Sequence, residues 1–199
     1  FNTGMIEGDL TRLDRRLAHM VSIGCTGAEI TAVGLDAVVS CKLLPNRVAA
    51  LAEIMQRYDL HYSMHAPIAI NLMDHTHADI MQRAALVSMD LAAEVGAKAV
   101  VLHPGRVHPR DWHADQAWLL QFELDRLGPV ADRAASHGIE IAYENISPNA
   151  RVIAMEETSY SLDPAALAAQ LARLNHSAVM ACLDISHAQQ GAGLWGFDM

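Results

Sequence analysis

The chain is predicted to be an α/β protein, a (β/α)8 TIM barrel of which about six βα units are present. Two observations carry that prediction. First, four short β-prone runs each close on a residue type that binds metal ions. Tyr62-Ser63-Met64 leads into His65, Val100-Val101-Leu102 into His103, Ile141-Ala142-Tyr143 into Glu144, and Val179–Leu183 into Asp184. These closing positions are 38, 41 and 40 residues apart. A strand, a helix and their loops need roughly 30 or more residues, so one such residue falls at the same place in each unit. Second, a helical stripe of apolar residues separates each run from the next, and alternation of this kind specifies a parallel sheet.

Taken in order, Phe1–Gly4 reads as the tail of a first strand. Leu10, Leu13, Leu17 and Met20 then fall at helical spacing until Gly24. Gly27–Ile30 is the second strand, and a loose region follows. Pro45 opens a helix with Val48, Leu51, Ala52 and Met55 on one face; proline is tolerated in the first turn, where its missing N–H has no helical partner. The third strand spans Leu60–Met64. Asp74 or Thr76 is expected to cap the next helix, whose stripe is Ile80, Ala84, Val87, Leu91 and Val95, with Gly96 as its stop.

The fourth strand, Ala97–Leu102, is nearly all apolar, which suits a parallel strand buried on both faces. A loop over 104–113 precedes a helix carrying Ala117, Leu120, Leu124, Leu127, Ala131 and Ala134. The fifth strand follows Gly138. Residues 147–162 read as a long loop, and such loops in compact domains are usually functional. Asp163-Pro164 caps and starts a helix with Leu167, Leu171 and Leu174 inward. Val179–Leu183 is the sixth strand, and 191–199 read as a further loop.

The chain has 199 residues, 52% of them hydrophobic, enough for one domain over 1–199 with a sizeable core. A complete eight-unit barrel takes about 250 residues, so the domain is expected to be incomplete at both ends. The net charge of −9 comes without a basic block, and nucleic acid is therefore not expected as a partner. Cys25, Cys41 and Cys182 form no CxxC pair, which points to reduced thiols and a cytoplasmic location. No leader sequence is evident, no apolar run is long enough for a bilayer, and no membrane partner is expected.

Strand-end acids are costly to bury alone, and a cation removes that cost. Glu144 and Asp184 are therefore expected as metal ligands, with His65 and His103 in register beside them. Pro67 and Pro104 turn the chain away just after these histidines. His187, three residues after Asp184, is expected at the same mouth. Mixed imidazole and carboxylate ligands suit Zn, Mn or Fe(II), with Co as a substitute. Asn145, His108, Arg106 and Trp112 are candidate substrate contacts. Trp118 is expected in the core, and Trp195 joins Trp112 as a candidate stacking wall.

His65-Ala66-Pro67 with Ile70-Asn71-Leu72, Leu102-His103-Pro104-Gly105, Tyr143-Glu144-Asn145 and Cys182–His187 together resemble the xylose-isomerase-like barrel superfamily, which includes endonuclease IV and the sugar isomerases and epimerases. The resemblance covers most of the chain from the third to the sixth strand. Against endonuclease IV it implies a metal cluster held by His65, His103, Glu144, Asp184 and His187. Against the isomerases and epimerases it implies one metal held by Glu144 and Asp184, with two further ligands from the seventh and eighth strands. It also implies a homodimer. Two departures weigh against the nuclease: Ile68-Ala69 stand where it carries a bulky aromatic, and the chain lacks a cationic surface.

The expected function is a metal-dependent isomerase or epimerase of a sugar-like hydroxy-carbonyl compound, working through an enediolate, with Glu144 and His187 as catalytic residues. One alternative is a phosphodiesterase acting at abasic sites in DNA. Another is a catalytically silent barrel acting as a binding protein.

Overall fold

The computed structural model describes residues 1–196. Its elements run α1 (Leu10–Ser22), β1 (Gly27–Thr31), β2 (Val38–Val39), β3 (Lys42–Leu43), α2 (Pro45–Met55), β4 (His61–His65), α3 (Ala78–Val95), β5 (Ala99–Leu102), α4 (Pro109–Ser136), β6 (Glu140–Glu144), α5 (Ala150–Ile153), a 3-10 turn (Tyr160–Leu162), α6 (Pro164–Leu174), β7 (Val179–Cys182) and α7 (Ile185–Trp195). Among the described residues no helix is long and apolar enough to cross a membrane.

Five strands form one parallel sheet in the order β1-β4-β5-β6-β7, which is their order in the chain. This is the winding of a TIM barrel, seen over part of its circumference. The strand ends are nearly flush. Thr31 sits beside His65, His65 beside Val101, Leu102 beside Tyr143, and Glu144 beside Cys182. That register gathers the loops after β4, β5, β6 and β7 at one mouth, where functional residues of such barrels lie.

Side-chain alternation along the strands builds the core. Met64, Val100, Ile141 and Tyr143 are fully buried, and Leu13, Leu17, Leu51, Met89, Ala92, Leu127, Ala131 and Ala134 meet the sheet from the helices. Truncating one such leucine to alanine costs about 2–5 kcal/mol. Helix ends follow the sequence signals. Gly96 closes α3 in the left-handed conformation at φ +82°, and the Asp163 carboxylate accepts from Ala165 N to start α6.

Several expectations change. The first strand is reduced to a bridge between Asn2 and Glu29, because Gly4 at φ +61° turns the chain away. The loose region contains a small antiparallel hairpin, β2–β3, turning through Ser40 and Cys41 at φ +51° and +57°. Asp74 accepts from Thr76 N and His77 N, so it closes the turn before α3 rather than capping the helix. Helix α4 starts at Pro109, inside the expected loop, and breaks at Asp115 (φ −157°, ψ 71°). Residues 191–195 end α7 instead of forming a loop, and 197–199 lie outside the described residues. Trp118 is 46% exposed, because it projects away from the Leu120–Leu124–Leu127 stripe.

Candidate metal centre

His65 is the last residue of β4 and Glu144 the last of β6; His103 follows β5 directly, and Asp184 lies two residues past β7. His103 Nε2 lies 2.9 Å from Glu144 Oε2, and His65 Nε2 lies 3.9 Å from the same oxygen. The two imidazoles meet edge to face, with centroids 4.9 Å apart. His187 Nε2 lies 3.8 Å from Asp184 Oδ2. Ligand atoms of His65, His103 and Glu144 lie within 4.8 Å of one another, and so do those of Glu144, Asp184 and His187. Glu144 is the shared vertex of the two groups.

The local hydrogen bonds orient these side chains. His65 Nδ1 lies 2.7 Å from the Ala66 carbonyl, and His187 Nδ1 lies 2.9 Å from the Asn145 carbonyl. A carbonyl only accepts, so each Nδ1 carries its proton and donates. In the neutral ring Nε2 is then the nitrogen with the free lone pair, and it lies on the side of the carboxylates. Metal-binding histidines are commonly held in this way by a second hydrogen bond. Asp184 also caps α7, accepting from His187 N at 2.9 Å and from Ser186 Oγ at 2.7 Å through Oδ1, which leaves Oδ2 facing the mouth.

The field at the mouth is negative. Burial pushes the Cys182 thiol pKa up, and the carboxylates of Glu144, Glu29 and Asp184 push it further. At Asp184 partial burial raises the carboxyl, but the His187 N–H and the Ser186 hydroxyl outweigh it and hold it below the ordinary aspartate value. Two carboxylates and three imidazoles with free Nε2 or carboxylate-bound Nε2 atoms are a donor set that fits a divalent cation of intermediate hardness.

The remaining expected contacts separate. Asn145 is wholly buried, and its amide is bound to the main chain of Asp184, donating to the carbonyl at 3.1 Å and accepting from the N–H at 2.7 Å. Both polar atoms of that side chain thus engage the main chain of Asp184. Arg106 donates to the Ile68 carbonyl at 2.7 Å, and Asn71 grips the Arg106 main chain at both N–H and C=O. His108 starts α4, its Nδ1 accepting from Arg110 N. Trp112 is partly buried and stacks on Tyr160, with centroids 6.4 Å apart. The Trp195 side chain lies outside the described residues.

One residue was not foreseen. Glu123 of α4 is completely buried and accepts from Gly105 N, Tyr143 OH, Tyr160 OH and Gln170 Nε2. Its position three residues after Leu120 and four before Leu127 places an acid on an apolar stripe, and that was the available signal.

Fold and cluster together define a class, a βα barrel with imidazoles and carboxylates converging at the C-terminal mouth of its strands. The model of the xylose isomerase-like TIM barrel family matches residues 17–198, and the chain belongs to that family. An uncharacterized protein of Methanocaldococcus jannaschii is 28% identical over 116 residues, which are 55% of this chain and 38% of that protein. A D-tagatose 3-epimerase-like protein superposes with a TM-score of 0.72 at 20% identity, over 94% of this chain and 64% of the other. An AP endonuclease of family 2 from Brucella melitensis superposes with a TM-score of 0.71 at 14% identity, over 95% and 69%. The chain thus spans less than two thirds of the first two.

Proposed function

We propose that the chain carries the metal centre of a divalent-metal-dependent isomerase or epimerase of a sugar or sugar-like hydroxy-carbonyl compound. The observation behind this reading is Glu144, one carboxylate shared by two groups of ligand atoms at the mouth of the barrel. A sugar epimerase-like protein among the structural neighbours supports the substrate class.

Glu144 and Asp184 would hold the ion, with His187, His65 and His103 grouped around them. A divalent ion bound there would supply Lewis acidity that lowers the cost of an enediolate. Glu144 is also proposed to exchange a proton with the substrate carbon. His187, whose Nδ1 lies 2.9 Å from the Asn145 carbonyl, is proposed to bond a substrate oxygen through Nε2. Arg106, His108 and Trp112, on the loop after β5 and the start of α4, are proposed to border the substrate.

The test is deuterium uptake from D2O at the carbon beside the carbonyl of a ketose, followed by NMR in the metal-loaded protein. Glu144→Gln is expected to abolish both uptake and tight metal binding; full exchange in that variant refutes the assignment.

The paired ligand groups also favour a second reading, a multi-metal phosphodiesterase at abasic DNA sites. More than one ion per chain, with nicking of an abasic duplex and no deuterium uptake, would establish it in place of the first.

A further inference from the structure

A fully buried carboxylate with no cation beside it is costly, and an apolar side chain of similar volume would serve packing better. Glu123 is such a carboxylate. It is 0% exposed, and among the described residues no Lys, Arg or His lies within ion-pair distance of it. What it does instead is divide its oxygens between two sets of donors. Oε1 accepts from Gly105 N at 2.6 Å and from Tyr143 OH at 2.7 Å. Oε2 accepts from Tyr160 OH at 2.7 Å and lies 3.4 Å from Gln170 Nε2.

The Oε1 pair is informative because of where its members sit. Gly105 is two residues past His103, and Tyr143 immediately precedes Glu144 on the opposite face of β6. One oxygen thus joins the segments that carry two of the site's side chains. The Gly105 segment is confined on its other sides. Its carbonyl accepts from Ser159 Oγ at 2.7 Å, and a Cβ at this residue would lie 2.3 Å from Met73 Cγ and 2.9 Å from Met73 N. The loop after β5 therefore has little room to settle elsewhere while Glu123 holds it. The Oε2 pair comes from the 3-10 turn and α6, neither of which carries a ligand.

We propose that Glu123 is a positioning residue of the metal centre. Through Oε1 it locks the segment after His103 to the strand ending in Glu144 and so sets the separation of those two side chains. The inference rests on the metal-centre reading above. It assigns the two oxygens different work: Oε1 maintains ligand geometry, whereas Oε2 secures the 3-10 turn and α6.

The experiment compares Glu123→Leu, Glu123→Gln, Tyr143→Phe and Tyr160→Phe in the whole protein. Co(II) is titrated by calorimetry, the d–d absorption of the bound ion is recorded, and thermal unfolding of the metal-free protein is measured in parallel. Glu123→Leu and Tyr143→Phe are expected to weaken Co(II) binding about 10-fold or more, the loss typical of groups that orient ligands, and to alter the absorption band. Tyr160→Phe is expected to lower the melting temperature as Tyr143→Phe does, while Co(II) affinity stays within about two-fold. Glu123→Gln is expected to rescue binding, since its amide oxygen accepts from Gly105 and Tyr143 while the Tyr160 hydroxyl turns to accept from the amide N–H. If Glu123→Leu does not fold, the two tyrosine variants decide. Equal Co(II) affinities for Tyr143→Phe and Tyr160→Phe, whether both lowered or both intact, overturn the inference. Failure of the unsubstituted protein to take up Co(II) overturns the metal centre itself, and this inference with it.

Discussion

Asn145 holds Asp184 by both of its main-chain polar groups: the amide oxygen accepts from Asp184 N at 2.7 Å and the amide nitrogen donates to Asp184 O at 3.1 Å. Asn71 holds Arg106 in the same manner two strands away, at 3.0 Å and 2.6 Å. Consecutive loops at the mouth are thereby fastened to one another through main chain. Asn145→Ala would leave the Asp184 N–H and C=O without these partners, at about 1–3 kcal/mol. Metal affinity is expected to fall by about 10–100-fold. Denaturant unfolding and calorimetric titration check the two parts, and unchanged affinity in a destabilised variant would break the link between clamp and centre.

The two ligand groups meet at Glu144 but are otherwise separate, so substitutions on each side report on each. With one ion seated between Glu144 and Asp184, Asp184→Asn is expected to cost more than the 10–100-fold that a supporting residue costs, and His65→Ala markedly less. Ions per chain are counted by elemental analysis. Equal losses from both variants, with two ions per chain, would favour the phosphodiesterase.

Gly105 faces Met73 so closely that an added methyl overlaps both its side chain and its backbone nitrogen. Gly105→Ala is expected to cost about 1–3 kcal/mol through overpacking. Adding Met73→Ala is expected to give no recovery, because the contacts with Met73 Cβ at 2.6 Å and Met73 N at 2.9 Å remain and truncating this fully buried methionine itself costs about 2–5 kcal/mol. Melting temperatures of the single and double variants test it.

Burial raises the Glu123 carboxyl above the ordinary glutamate value, although the Gly105 N–H, both tyrosine hydroxyls and the Gln170 amide oppose the shift. The native state therefore keeps its proton to a higher pH than the unfolded chain does. Stability is expected to fall as pH climbs from the ordinary glutamate value to the raised one, since the unfolded state binds fewer protons across that window. In Glu123→Gln this component of the pH dependence should vanish. Urea midpoints measured across a pH series provide the comparison.

The strand ends were readable in the sequence because apolar runs, prolines and helical stripes all mark them. The same strand ends bring His65 and His103 to one side of Glu144, and Asp184 and His187 to the other. The supports were less visible. An acid among leucines, as at Glu123, reads as a solvated helix position until tertiary donors are known. The Ser40-Cys41 turn lacks the Asn-Gly type of signal that usually announces a hairpin. The break in α4 falls at Asp115, marked by no glycine or proline, while the helix continues through Pro129. Helix α7 contains Gly191 and Gly193, poor helix formers, and owes its start to the Asp184 cap, a tertiary consequence of the residue's position at the mouth.

The two asparagine grips take hold of peptide groups, which every amino acid but proline supplies in full. Residues around the opening can therefore be exchanged without disturbing the spacing of the strand tips beneath them. A barrel wired in this way permits divergence of its loop surfaces while the spacing of the strand tips is retained.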